Sequence, residues 1–172
     1  METTAQKIKV KDSRIFGLIA LYDMHTEYFK RAIDGISDTA SHSRLDTKAN
    51  HVAWLTGSLV QERFEFAKLF GSELQQAAHE LFSDHKGIQD GVTYPPLKDF
   101  QKDWERISPV LRDILVNLRA EQLDSILEWP EMPEMSMPYF DFLSFVIYRE
   151  ANCIGQIALW RRLLNYPALK YD

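Results

Sequence analysis

Apolar residues recur every third or fourth position through four long stretches of the chain, separated by segments that are polar or rich in proline and glycine. That is the period of a helix buried along one side, and no segment alternates convincingly enough to read as a strand. The first stretch carries Ile15, Leu18, Ile19, Tyr22, Phe29, Ile33 and Ile36. It predicts a helix capped by Asp12 or Ser13 and ending near Ile36, where Gly35 and the polar run 37–43 stop it. The second stretch places Val52, Leu55, Thr56, Leu59, Arg63, Phe66 and Phe70 on one side, predicting a helix from Asp46 or Thr47 to Phe70 with Gly71 as its stop.

Beyond Gly71, Ser72 followed by Gln75 has the capping-box pattern, predicting a short helix to about Phe82. Residues 83–96 have two glycines, a Pro95–Pro96 pair and no period, and read as loop. A connection this long is expected to cross the molecule, so that its flanking helices need not be neighbours. The third long helix carries Phe100, Trp104, Ile107, Leu111, Leu115 and Leu118 and runs to about Arg119, with a kink or short break expected at Pro109. Residues 121–127 extend it or add a turn, and 129–138, with three prolines and three methionines, read as a linker. The fourth long helix spans 137–164 and is stopped by Asn165 and Pro167. There is no internal repeat and no heptad run. The expectation is an all-α bundle of four long helices, with one short extra helix and a long connection between the second and third. Residues 1–172 make one domain, preceded by a loose polar lead-in over 1–11.

The apolar face of the fourth helix is interrupted. At ~100° per residue, Arg149, Glu150 and Cys153 fall in the same arc as Tyr139, Phe142, Val146, Ile157, Trp160 and Leu164. A buried unpaired charge is very costly, so Arg149 must meet water, an acid or an anionic ligand. The first helix sets His25 among Leu18, Tyr22 and Phe29, and the second sets Ser58 and Glu62 one turn apart at the edge of its apolar face. All lie near mid-helix, where groups in a bundle share a level. His25, Ser58, Glu62, Arg149, Glu150 and Cys153 are therefore the candidates for a polar layer. Glu62 is the natural partner for Arg149, and Glu150 is the other acid within reach. Plainer readings stand beside these: His25 and Cys153 as ordinary core residues, and an Arg–Glu bridge that only holds helices together.

A net charge of −5 argues against a general nucleic-acid binder. One cysteine excludes an internal disulfide framework and fits a reducing compartment. The start of the chain lacks the apolar core of a signal peptide, and no apolar run approaches the ~20 residues of a membrane span. The expectation is a cytoplasmic protein bound neither to membrane nor to nucleic acid. There is no glycine-rich phosphate loop, nucleophile elbow, HExxH or CxxC.

The fourth helix reads Arg149-Glu150-Ala151-Asn152-Cys153-Ile154-Gly155-Gln156-Ile157, then Ala-Leu-Trp-Arg-Arg-Leu-Leu. It resembles the DinB-like (DinB/YfiT-like) four-helix bundles, whose pattern there is roughly His-Glu-x-x-His-x-Gly-Gln-Ile, then Leu-Arg-Arg-Leu-Leu. Ala53-Trp54-Leu55-Thr56-Gly57-Ser58-Leu59 resembles the family's Ala-Trp-x-x-Gly-His-Leu, and Tyr94-Pro95-Pro96 with Trp104 its third-helix entry. The likeness covers nearly the whole chain and implies the fold and a homodimer. It also implies a divalent-metal site of three histidines, but the matching positions are Ser58, Arg149 and Cys153. Arginine does not ligate a divalent cation, so the resemblance implies a lost metal and no cofactor. A guanidinium in a cation's place suits a small anionic ligand, and the expectation is an internal pocket of the bundle around Arg149 that binds one. Two enzyme readings remain beside that one. Cys153 next to Arg149 could serve a thiol-dependent transferase or isomerase, as in some family members. Alternatively, an altered set such as His25, Glu62 and Cys153 could hold zinc or nickel. Outward aromatics such as Trp54 and Phe145 offer surface for a partner.

Overall fold

The structure, a computed structural model, describes residues 9–172. It is mostly helical, with a single pair of two-residue strands. Most of the loose lead-in expected over 1–11 lies outside the described residues; at Lys11 the backbone N–H already donates to the Val116 carbonyl at 3.0 Å. A 3-10 turn at Ser13–Ile15, capped by Asp12, leads into α1, Phe16–Ile33. α1 ends three residues before the expected Ile36. Asp34 leaves helical geometry and Gly35 takes a left-handed φ of 71°. The buried Arg161 guanidinium then closes this end, donating to the carbonyls of Ala32 and Asp34 that the helix leaves unpaired. The polar run beyond it forms a short helix, α2 (Asp38–Ser41), capped by Ser37.

The second long helix, α3 (Val52–Lys68), starts more than a turn later than expected. Leu45 and Asp46 have positive φ, and Arg44 donates to the carbonyls of Lys48 and Ala49, holding that segment as a loop. The cap is His51, whose imidazole Nδ1 accepts the Trp54 backbone N–H at 3.1 Å. α3 is buried almost all round, beyond the one apolar side that its spacing predicts.

That burial explains the next departure. The helix expected from Ser72 to Phe82 is replaced by extended chain with 3-10 turns at His79–Leu81 and Ser83–His85. The segment is drawn onto α3: Gln76 donates to Gln61 at 2.8 Å, and Asp103 accepts the Ala77 N–H at 2.7 Å. Phe82 presses onto Gly57, where an added Cβ would overlap the Phe82 ring and lie 2.8 Å from Phe100. Covering α3 outweighs the local capping pattern.

α4 (Leu97–Asn117) begins with the Leu97 N–H donating to Asp38 and runs unbroken through Pro109, without the expected break. A short helix, α5 (Ala120–Asp124), follows. The supposed linker pairs its ends: β1 (Ile126–Leu127) runs antiparallel to β2 (Met137–Pro138). The last helix, α6, is Tyr139–Leu163. Each long helix packs on two others, in the cyclic order α1, α6, α3, α4. The long connection does not part its flanking helices, since α3 and α4 make the most extensive contact of all. No helix of the described residues is long and apolar enough to cross a membrane.

Candidate functional site

Adjacent residues on a helix point ~100° apart, so Arg149 and Glu150 cannot share a partner on one neighbouring helix. α3 meets them with Glu62 and Arg63, the same two charges in opposite order. Two ion pairs result, side by side between α3 and α6.

The inner pair is Arg63 with Glu150, and both side chains are fully buried. Arg63 Nε donates to Glu150 Oε1 at 2.6 Å and Nη2 to Oε2 at 2.9 Å, a two-pronged match of guanidinium to carboxylate. Nη1 donates to the hydroxyls of Thr26 on α1 and Ser108 on α4, at 2.9 and 2.7 Å. The guanidinium stacks 3.9 Å from the Tyr22 ring centre and 3.5 Å from that of Trp104. His25 Nδ1 lies 3.3 Å from Glu150 Oε2. Thr26 and Ser108 in turn donate to the carbonyls of Tyr22 and Trp104. Burial acts to raise the Glu150 carboxyl, but the Arg63 charge, its hydrogen bonds and His25 outweigh burial, leaving it below the ordinary glutamate value. One arginine thus ties all four long helices. In the sequence Arg63 sits within the apolar stripe of the second helix. The signal that finds it is the Glu62-Arg63 and Arg149-Glu150 complement.

The outer pair is Arg149 with Glu62, with side chains 29% and 16% exposed. Arg149 Nη2 donates to Ser58 Oγ at 2.7 Å. Nη1 lies 2.7 Å from Glu62 Oε2, close enough for an ion pair but off the line of a good hydrogen bond, which leaves that buried oxygen without a directional partner. Burial, opposed by Arg149, pushes the Glu62 carboxyl up to about 7. Cys153 is buried one turn along α6 from Arg149. Burial pushes its thiol up against the pull of the Arg149 charge, which is the reverse of what a nucleophilic thiolate needs.

The six candidates therefore divide. Ser58 and Glu62 close on Arg149, with Cys153 adjoining, while His25 and Glu150 belong to the Arg63 network. The altered metal set of His25, Glu62 and Cys153 is split between the two. Among the described residues no three His, Cys, Asp or Glu side chains are placed to hold a metal ion. Two open clefts of about 420 and 410 Å³ lie elsewhere, one between α1 and α4 beside Pro109, the other where the loop after α1 meets the start of α4. Neither reaches Arg149. Chemically, the outer cluster offers a partly exposed guanidinium that uses one of its five N–H groups on Ser58, beside a carboxyl poised near neutrality. In comparisons with protein-family models, with curated proteins and with solved structures, no match to the chain was found.

Proposed function

We propose that the chain is a DinB-like four-helix bundle that holds no divalent metal and binds a small anionic ligand at Arg149. The observation that carries this reading is the 2.7 Å bond from Arg149 to Ser58. Two positions that resemble metal-ligand positions, on different helices, meet at one point, and a fixed positive charge stands there. The solvent-facing edge of the guanidinium has N–H donors left for a carboxylate or phosphate oxygen. Glu62 competes for the same charge when ionised and stops competing when protonated. The ligand therefore binds more tightly as pH falls through about 7. The reading is a binding module, and the upward shift of the Cys153 thiol speaks against the thiol-dependent enzyme reading.

The test is thermal unfolding in rising acetate or inorganic phosphate. An anion at ten times its dissociation constant stabilises by about 1.4 kcal/mol, which raises the Tm of a chain this size by roughly 3–6 °C. The wild type shows that rise, larger at pH 6 than at pH 8, and Arg149→Met does not. A wild type unmoved by both anions, or an equal rise in Arg149→Met, rejects the reading.

A further inference from the structure

Three of the chain's five methionines, Met132, Met135 and Met137, fall within six residues, in the hairpin that joins α5 to α6. Met132 and Met135 are 45 and 50% exposed, although an apolar thioether gains nothing from water. The hairpin gathers them. Leu127 of β1 pairs with Met137 of β2, and that register, carried two residues on, sets Trp129 opposite Met135. Side chains alternate along each strand, so Leu127, Trp129, Met135 and Met137 share one face. Leu127 is buried and Met135 is exposed, so this face runs from the core out to the surface. Met132 adds the third sulfur. It caps the 3-10 turn Pro133–Met135, and in such a turn residues three apart stand one above the other.

The hairpin is held in one shape. Beyond the Leu127–Met137 pair, a side chain closes the loop, with Ser136 Oγ accepting the Trp129 N–H at 3.0 Å. The Met132 N–H donates to the Trp129 carbonyl and the Met135 N–H to the Met132 carbonyl, both at 2.9 Å. Pro130, Pro133 and Pro138 fix φ at three further points. Trp129 is seated against Phe142 of α6, with ring centres 6.1 Å apart, and the His85 imidazole lies 6.4 Å from Trp129.

We propose that Met132, Met135 and Met137 bind a soft monovalent cation, copper(I) or its analogue silver(I). Thioether sulfur is uncharged and polarisable, and among first-row metals it selects copper(I). Zinc and harder cations need anionic or imidazole ligands, and among the described residues no three His, Cys, Asp or Glu side chains are placed to hold one. The local field favours a cation. Between Arg119 and Arg149 the chain carries six acidic residues and no basic one, and Glu128, Glu131 and Glu134 are exposed in the hairpin itself. The Trp129 indole beside the thioethers adds the attraction of an aromatic face for positive charge. A closed, proline-stiffened loop loses little freedom when it takes up the ion. The site shares no residue with the Ser58–Arg149 cluster, so its failure leaves that reading untouched.

Methionine-methyl NMR during a silver(I) titration in chloride-free buffer tests it. The signals of Met132, Met135 and Met137 are expected to move together and to saturate together, while Met24, 45% exposed on α1, stays in place. The readout is specific to each methionine, so silver taken up by the Cys153 thiol is told apart. In equilibrium dialysis, Met132→Leu/Met135→Leu/Met137→Leu is expected to bind one silver ion fewer per chain than the wild type. Its helical circular-dichroism spectrum is unchanged, because leucine conserves methionine's volume. Met132→Leu alone is expected to weaken binding at the other two methionines by about tenfold or more, no less than the loss of an outer-shell partner costs a metal site. Three signals that stay in place, a Met24 signal that moves with them, undiminished silver in the triple variant, or a Met132→Leu variant that binds as tightly as the wild type each overturns the proposal.

Discussion

Replacing Arg63 by methionine removes a side chain that ties all four long helices while keeping a similar length of apolar stem. Glu150 is then left fully buried with a single neighbour, His25 at 3.3 Å. Stranding one member of a buried pair costs about 3–5 kcal/mol. Losing the guanidinium from between Tyr22 and Trp104 adds about 1–2 kcal/mol. Thr26 and Ser108 add little, because each keeps a bond to its own helix's backbone. The expected loss is about 4–7 kcal/mol, a large share of the ~5–15 kcal/mol that holds a domain together. The assay is urea unfolding at pH 8, followed by circular dichroism and tryptophan fluorescence, with a shared m-value as the check on two-state behaviour. Glu150→Met strands Arg63 in the same way and costs a similar amount. The double variant Arg63→Met/Glu150→Met removes both charges together and is expected to be more stable than either single variant. Single variants within about 1 kcal/mol of wild type, or a double variant whose loss equals the sum of the two, would refute the reasoning.

Gly57→Ala gains about 1 kcal/mol of helix propensity yet is expected to lose about 1–3 kcal/mol net, because its Cβ overlaps Phe82; a Tm at or above wild type contradicts the close approach. For Glu62, the carboxyl binds its proton more tightly in the native state than in the unfolded one. Its contribution to stability is therefore present below about pH 4.5 and is lost as pH rises to about 7. Glu62→Gln lacks this loss, so its stability relative to wild type rises by about 2–3 kcal/mol between those limits; urea midpoints at pH 4.5 and 8 that show no such divergence contradict the burial of Glu62.

The long helices are legible in the sequence because each buries a wide apolar face, and the period of that face survives whatever the helix packs against. α6 is found to within two residues at each end. Boundaries fail where a cap lies outside the usual set. A histidine caps α3, and no local rule forbids the extra turns that Leu45 and Asp46 prevent by taking positive φ. The expected helix over 72–82 fails for a tertiary reason, the need to cover α3, which its own residues do not state. The polar layer is visible as misplaced charge at Arg149 and Glu150, and its division is not. Partner choice depends on which neighbouring helix a direction ~100° away will face, and that requires the packing order. Arg63 hides because a fully buried arginine with four of its five N–H donors bonded occupies an apolar position without disturbing the period.

The central claim of the proposed reading is that Ser58 and Cys153 adjoin Arg149 at one point, where a DinB-like bundle would hold a metal ion. Substituting all three, Ser58→His, Arg149→His and Cys153→His, and measuring zinc and nickel binding by equilibrium dialysis with elemental analysis tests that claim most directly. One metal per chain is predicted, with nitrogen ligands near ~2.0–2.1 Å by X-ray absorption and a metal-dependent rise in Tm. A folded variant of unchanged helical spectrum that binds no metal would contradict it.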